Sequence, residues 1–391
     1  MNTKNRYRIR VFTEKVFAPL KALKVKKNRV ICISHRGGRQ YSDSPMYITE
    51  ELLRRKGYEI IWIVNDRNAF RFLEEKGIRT VKHRSLQEIY YLNTSKVCIT
   101  NLFRFPPYLA MDPEQLRINT MHGGGAYKSL LSINVDSGTV SKYDALLARH
   151  NINRCNLCLS GSRATSKSVY RKELRYRGEI LEKGLPRNDS LLHPDPEIVR
   201  SVKEHYGVED RMILVMPTWR RDNSRASIEI DYRKLVQAFE RNYGGRWKVM
   251  LRLHHLAQID ISDLKSLYSD ILVDATDYDN PQDLLAAADF LITDYSSVIW
   301  DFALKKGPMI LYAPDLDAYG EERGFVIPPE KWKLNMARSG EELFALIDGK
   351  SLEELAEASE DHLKVYGSFE SGEATKAVCD YIEEVCKGTR S

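Results

Sequence analysis

Short apolar runs alternate with amphipathic stretches along nearly the whole chain, and this rhythm limits the fold more than any other feature. Val30–Ser34, Tyr58–Val64, Thr80–Lys82, Val97–Thr100 and Arg117–Met121 read as strands. Helical patterns over Pro45–Lys56, Asn68–Lys76 and Ser85–Leu92 fall between them. Such alternation builds a parallel sheet covered by helices. The rhythm breaks between Ile180 and Tyr206, where Gly184-Leu-Pro-Arg-Asn-Asp189 and His193-Pro-Asp-Pro196 carry prolines that resist helix and sheet. It resumes at Met212–Met216 and runs on through Trp247–Leu253, Ile271–Val273, Phe290–Thr293 and Met309–Tyr312. The 391 residues suffice for two domains of ordinary size. The pattern therefore predicts an α/β fold of two Rossmann-like domains facing a cleft, residues 30–195 and 196–391, with C-terminal helices over Ser351–Cys386 in the second.

Residues 1–29 read as a separate segment. They hold ten Lys and Arg against Glu14 alone, a net +9, which leaves −3 for the rest of a chain whose total is +6. Phe12, Val16, Leu20 and Leu23 recur at helical spacing, interrupted near Pro19. A basic amphipathic helix of this kind suits an anionic membrane surface. No basic stripe with interleaved aromatics continues elsewhere, so nucleic acid is disfavoured. No apolar run approaches the length of a membrane span, and no signal-peptide core follows the first residues. The expectation is a cytoplasmic protein, peripheral on the plasma membrane. Of six cysteines, Cys155 and Cys158 form one C-x-x-C without a second ligand pair, and no metal is expected.

In open parallel sheets, ligands bind beyond the carboxyl ends of the strands, and the chemically loaded residues of this chain sit there. Asp294-Tyr-Ser-Ser297 follows Phe290–Thr293 and precedes a helical stretch from Val298 to Leu304, so Asp294, Ser296 and Ser297 suit a helix start that holds a phosphate. His122 is followed by three glycines, whose backbone can approach a ligand closely and adopt angles closed to other residues; the histidine suits a general base. Lys128 adds positive charge shortly after. Ser162 follows another strand. Thr218, Arg220 and Arg221 after Met216, and Arg252 before His254-His255, suit phosphate or ribose contacts. The chain has no P-loop, no G-x-G-x-x-G opening a helix after the first strand, and no G-x-S-x-G elbow. What remains is a set of His, Arg, Ser and Thr suited to an anionic, diphosphate-bearing substrate.

Seven segments carry a resemblance: Tyr41-Ser-Asp-Ser-Pro-Met-Tyr47, Met121-His-Gly-Gly-Gly-Ala-Tyr-Lys128, Leu159-Ser-Gly-Ser162, Gly184–Asp189, Met216–Asp222, Leu251-Arg-Leu-His-His255 and Asp289–Ser297, with Arg323-Gly-Phe325 closing the set. In this order the chain resembles the CDP-glycerol glycerophosphotransferases that build teichoic acids. The resemblance implies a glycosyltransferase B-type fold with the donor in the C-terminal domain. It implies transfer of glycerol phosphate from CDP-glycerol to a hydroxyl of a lipid-linked glycan or glycerol-phosphate acceptor, with release of CMP and without metal or cofactor. CDP-ribitol or a nucleotide sugar is the alternative donor. Carried onto this chain, His122 is the base and His254, with Arg252, stabilises the donor phosphates. Gly123, Gly124, Ser162, Arg187, Thr218, Arg220, His255, Asp294, Ser296 and Ser297 contact substrate. The family commonly has Trp-His-Gly-Thr-Pro where this chain has Met121–Gly125. It commonly follows its later histidine with proline, so either His254 or His255 fills that role.

Overall fold

The computed structural model describes residues 3–34, 38, 40–68, 70–129, 131, 141–220, 224–254, 257 and 259–390. It divides into two units. Unit 1 is Met1–Gly124, Leu130–Asp189 and Phe369–Ser391; unit 2 is Gly125–Ser129 and Ser190–Ser368.

Unit 1 is built on a seven-stranded sheet of β1 (Lys26–Ile33), β2 (Glu59–Val64), β3 (Arg79–Lys82), β4 (Ser95–Thr100), β5 (Leu116–Asn119), β6 (Leu157–Leu159) and β7 (Glu179–Leu181), in the order β3-β2-β1-β4-β5-β6-β7. Every pairing is parallel. Val30, Ile31, Cys32 and Ile33 are all buried, as are Ile60 to Val64, so alternate side chains of both strands are enclosed. This is why they read as continuous apolar runs. The order reverses between β1 and β4, as in a dinucleotide-binding fold.

Unit 2 repeats that order: β8 (Arg211–Met216), β9 (Trp247–Leu251), β10 (Leu272–Asp274), β11 (Phe290–Thr293), β12 (Met309–Tyr312) and β13 (Met336–Ala337) stand as β10-β9-β8-β11-β12-β13, all parallel. Its reversal lies between β8 and β11.

Three expectations are corrected. The proline stretches near the predicted break are helical, over Pro186–Leu192 and Pro196–His205. Pro186 and Pro196 stand at first helical positions, where the missing N–H costs nothing, and Asp195 caps the second helix through Glu197 N. The last helix, Ala374–Lys387, belongs to unit 1: its Val378, Cys379 and Ile382 complete the core formed by Val30, Ile48, Leu52 and Trp62. Residues 1–29 are part of unit 1 as well. Their helix, Thr3–Phe17, is followed by a 3-10 turn at Ala18–Ala22 that contains Pro19. Glu14 docks the helix, pairing with Arg10 at 2.5 Å, Arg154 at 2.9 Å and His150 at 2.7 Å.

Residues 125–129 are clipped into unit 2. Val326 N donates to Tyr127 O at 2.9 Å, Ser129 N donates to Gly324 O at 3.2 Å, and Lys128 bridges Phe325 in antiparallel fashion. Tyr127 and His362 are both buried. The Trp332 carbonyl can only accept, so His362 Nδ1–H donates to it at 2.6 Å, leaving Nε2 to accept from Tyr127 Oη at 2.6 Å. Burial holds the His362 pKa down at about 4. The unfolded chain takes up this proton below about 6.5 and the folded chain only below about 4. Stability from this site is therefore complete above pH 6.5 and is lost as pH falls from 6.5 to 4, by about 3 kcal/mol. Thermal melting of wild type and H362Q across that window is expected to show the loss in wild type and a flatter profile in the variant.

Candidate functional site

In unit 1, His122 follows β5 with its ring exposed and its Nδ1 3.2 Å from the Asn101 carbonyl, just past β4. Since the carbonyl can only accept, Nδ1 carries the proton and the ring lone pair lies on Nε2. Asp43, at the start of the helix Asp43–Arg55, accepts from Asn101 Nδ2 at 2.7 Å and pairs with Arg187 at 3.4 Å. Arg187 Nη1 donates to the His122 carbonyl at 3.0 Å. The histidine is thus framed by Asn101, Asp43 and Arg187 from three separate strand ends.

The glycines after it act differently from expectation. None of Gly123, Gly124 and Gly125 has a positive φ; the left-handed residue is Met121, at φ 57°, with its N–H held by Asn119 Oδ1 at 2.9 Å. Asp43 is also left-handed, at φ 64°. Non-glycine residues bear strain in that region, and surrounding structure must hold them there. Gly125 is required for another reason: a Cβ there would stand 2.2 Å from the Tyr127 ring. Ser162 is fully buried, and its hydroxyl is engaged with Gly124 O at 3.1 Å and Thr165 Oγ1 at 2.9 Å. It holds the glycine loop instead of facing solvent, which corrects its assignment as a substrate contact.

In unit 2, the loops after β8 and β11 meet at the reversal point. Asp294 is fully buried. It accepts from Thr218 N at 2.9 Å and pairs with Arg220 Nη1 at 2.9 Å. Arg220 also holds Asp315 through Nε at 2.6 Å and Nη2 at 3.0 Å, donates to Thr218 O at 2.7 Å, and lies over the rings of Tyr295 and Tyr319 at 5.2 and 4.9 Å. Its charge is committed to two carboxylates, so it scaffolds the loops and is not an open phosphate clamp.

Ser297 caps the helix Val298–Leu304 without a side-chain hydrogen bond, and both Ser296 and Ser297 are half-buried. The Thr218 hydroxyl and the Trp219 indole N–H are buried with no hydrogen-bond partner among the described residues. After β9, Arg252 donates to the Ala275 carbonyl at 3.2 Å and to that of Tyr278, tying down the loop beyond β10. His254 is exposed, with its ring 6.5 Å from that of Trp219. His255, Arg221 and Asp222 lie outside the described residues.

Sequence reasoning missed Asp43, Asn101 and Asp315 as partners of these sites. Position is the signal for two of them, since Asn101 follows β4 directly and Asp315 lies three residues past β12, whereas Asp43 lies within the resembling segment Tyr41–Tyr47.

Two parallel sheets, each in the Rossmann order and each with its polar residues at the carboxyl ends, define a fold of the glycosyltransferase B type. Residues 16–384 match the family described as CDP-glycerol:poly(glycerophosphate) glycerophosphotransferase. The chain belongs to that family, and with it to the transferase enzymes of teichoic acid synthesis. It is 29% identical to the teichoic acid glycerol-phosphate transferase of Staphylococcus aureus over 88% of this chain and 90% of that protein. It is 26% identical to the teichoic acid poly(glycerol phosphate) polymerase of Bacillus spizizenii over 78% and 79%. A solved structure of the wall teichoic acid polymerase TagF superposes with a TM-score of 0.79 at 24% identity, covering 99% of this chain and 97% of that one.

Proposed function

We propose that the protein transfers glycerol phosphate from CDP-glycerol to a hydroxyl of a lipid-linked glycan or glycerol-phosphate acceptor, releasing CMP. The observation that carries this reading is the pair of unsatisfied donors, the Thr218 hydroxyl and the Trp219 indole N–H, on the loop after β8 at the reversal point of unit 2. Buried donors without protein partners are completed by water or by a ligand, and these two lie where a doubly wound sheet binds a nucleotide.

In the proposed reaction His122 accepts the proton of the acceptor hydroxyl. The acceptor oxygen bonds to the phosphorus bearing glycerol, the bond from that phosphorus to the CMP oxygen breaks, and CMP departs. Thr218, Ser296, Ser297, Arg252 and one of His254 and His255 stabilise the donor phosphates, acting as positioned donors to developing charge. Gly123, Gly124 and Arg187 hold the loop that presents the base.

Purified protein given CDP-glycerol labelled in its glycerol and a lipid-linked acceptor is expected to release CMP and label the lipid. CDP-ribitol forms a parallel arm, because teichoic acid ribitol-phosphate enzymes stand among the relatives. No CMP from either donor overturns the reading.

Membrane attachment belongs to the same proposal. Ile9, Phe12 and Val16 of the first helix are 52%, 68% and 56% exposed and share the face away from docked Glu14. Arg6, Arg8 and Lys15 are exposed along with them. An exposed apolar stripe with flanking cations fits an anionic lipid surface on the cytoplasmic side. No described helix is long and apolar enough to cross a membrane. F12E is expected to abolish sedimentation with anionic vesicles at low salt while CMP release on a soluble acceptor analogue persists. Vesicle binding equal to wild type would contradict this attachment.

A further inference from the structure

We propose that Lys128 is the cation that grips the donor's diphosphate in unit 2, with Arg220 serving as its scaffold. The inference rests on the CDP-glycerol reading and assigns a residue within that site.

Lys128 comes from far along the chain, yet the clip at residues 125–129 fixes it beside Gly324–Val326 of unit 2. Its Nζ lies 5.4 Å from the centroid of Tyr319, on whose ring Arg220 also packs, at 4.9 Å. The two cations therefore share one aromatic residue. Their circumstances differ. Arg220 satisfies two carboxylates and a carbonyl, whereas Lys128 Nζ has neither a hydrogen bond nor an ion pair among the described residues.

The groups that act on Lys128 electrostatically are Asp294 from the β11 loop, Arg220 from the β8 loop and Arg323 from the helix Leu316–Arg323. Tyr319 and Glu322 lie on that same helix, and Glu322 is 3.7 Å from Arg323. Asp294 is ion-paired with Arg220, so it acts on Lys128 at a distance and is shared between the two cations. Burial, then Arg323 and Arg220, lower its pKa to about 8, with Asp294 opposing them. A half-buried ammonium with no hydrogen bond or ion pair of its own among the described residues has donors to offer an incoming anion. A diphosphate carries the required charge and several acceptor oxygens, and Thr218, whose buried hydroxyl lacks a partner, donates its backbone N–H to the same Asp294. A bound diphosphate favours the protonated lysine, so binding above pH 8 takes up a proton.

The test is calorimetric titration of full-length wild type, K128M and K128R with CDP and with CDP-glycerol, at pH 7 and pH 9, in two buffers of different ionisation heat. K128M is expected to bind both nucleotides roughly ten-fold more weakly or worse at pH 7. Wild type is expected to bind less tightly at pH 9 than at pH 7 and to take up a proton there. K128R keeps its charge, so it holds its pH 7 affinity at pH 9 without proton uptake. K128M should melt no lower than wild type at pH 7, because methionine removes a poorly paired ammonium, so weak binding is separable from misfolding. Wild-type affinity in a folded K128M overturns the role of the lysine. Wild type that binds CDP but ignores CDP-glycerol overturns the donor reading and leaves the lysine's contact with the diphosphate standing.

Discussion

His122→Ala is expected to lower the rate of CMP release by roughly 10²–10⁴-fold, the range usual for loss of a positioned general base. The ring is exposed, its Nδ1 proton is directed to the Asn101 carbonyl at 3.2 Å, and its own carbonyl is held by Arg187 at 3.0 Å. These contacts fix the tautomer and aim of the base before a substrate arrives, which is the geometric requirement for efficient proton transfer. The donor contacts proposed here lie in unit 2, so the affinity of H122A for CDP-glycerol should stay within about two-fold of wild type while kcat falls. That split identifies loss of a group acting in the transition state alone. Initial rates together with donor titration measure both quantities. Turnover above roughly a tenth of wild type would remove His122 from the role of base.

The second large effect is on stability. Asp294→Ala leaves Arg220 buried with half its counter-charge and strands the Thr218 N–H that two carboxylate oxygens hold at 2.9 and 3.0 Å. Removing one partner of a buried ion pair costs about 3–5 kcal/mol. In a unit of this size that lowers the melting temperature by roughly 10 °C. Asp294→Asn keeps an acceptor for Thr218 N and should lose less. Calorimetry of both variants checks the ranking, and a shift below about 1 kcal/mol for D294A would show that Asp315 alone neutralises Arg220.

Much of this architecture is legible in the sequence because both sheets are enclosed. Val30–Ile33, Met212–Val215 and Phe290–Ile292 are each buried without interruption, so apolar runs mark the strands and the residues after them mark the site. The resemblance named the family for the same reason: its motifs are the strand-end loops. What escaped the reading depends on where long-range packing sends a side chain. Nothing local distinguishes Ser162, which grips Gly124, from a serine facing a substrate. The role of Arg220 turns on Asp315, 95 positions away. The glycine run suggested a left-handed turn, yet the fold places that conformation on Met121 and uses Gly125 to admit the Tyr127 ring. Prolines 186 and 196 read as breakers because composition alone does not tell a helix start from a loop.

The return of the last helix to unit 1 has a consequence for biosynthesis. Ribosomes extend a chain at about 5–20 residues per second, and domains generally fold as they emerge, amino-terminal first. Here the core around Val30, Leu52 and Trp62 lacks Val378, Cys379 and Ile382 until the whole of unit 2 has been made. The nascent amino-terminal half therefore waits, with an apolar groove open beside the helix Asp43–Arg55, for some tens of seconds. Unit 2, apart from its short clip, is contiguous and can close first. This chain thus inverts the usual order, completing its beginning last, and the waiting groove is where a holdase chaperone would find it.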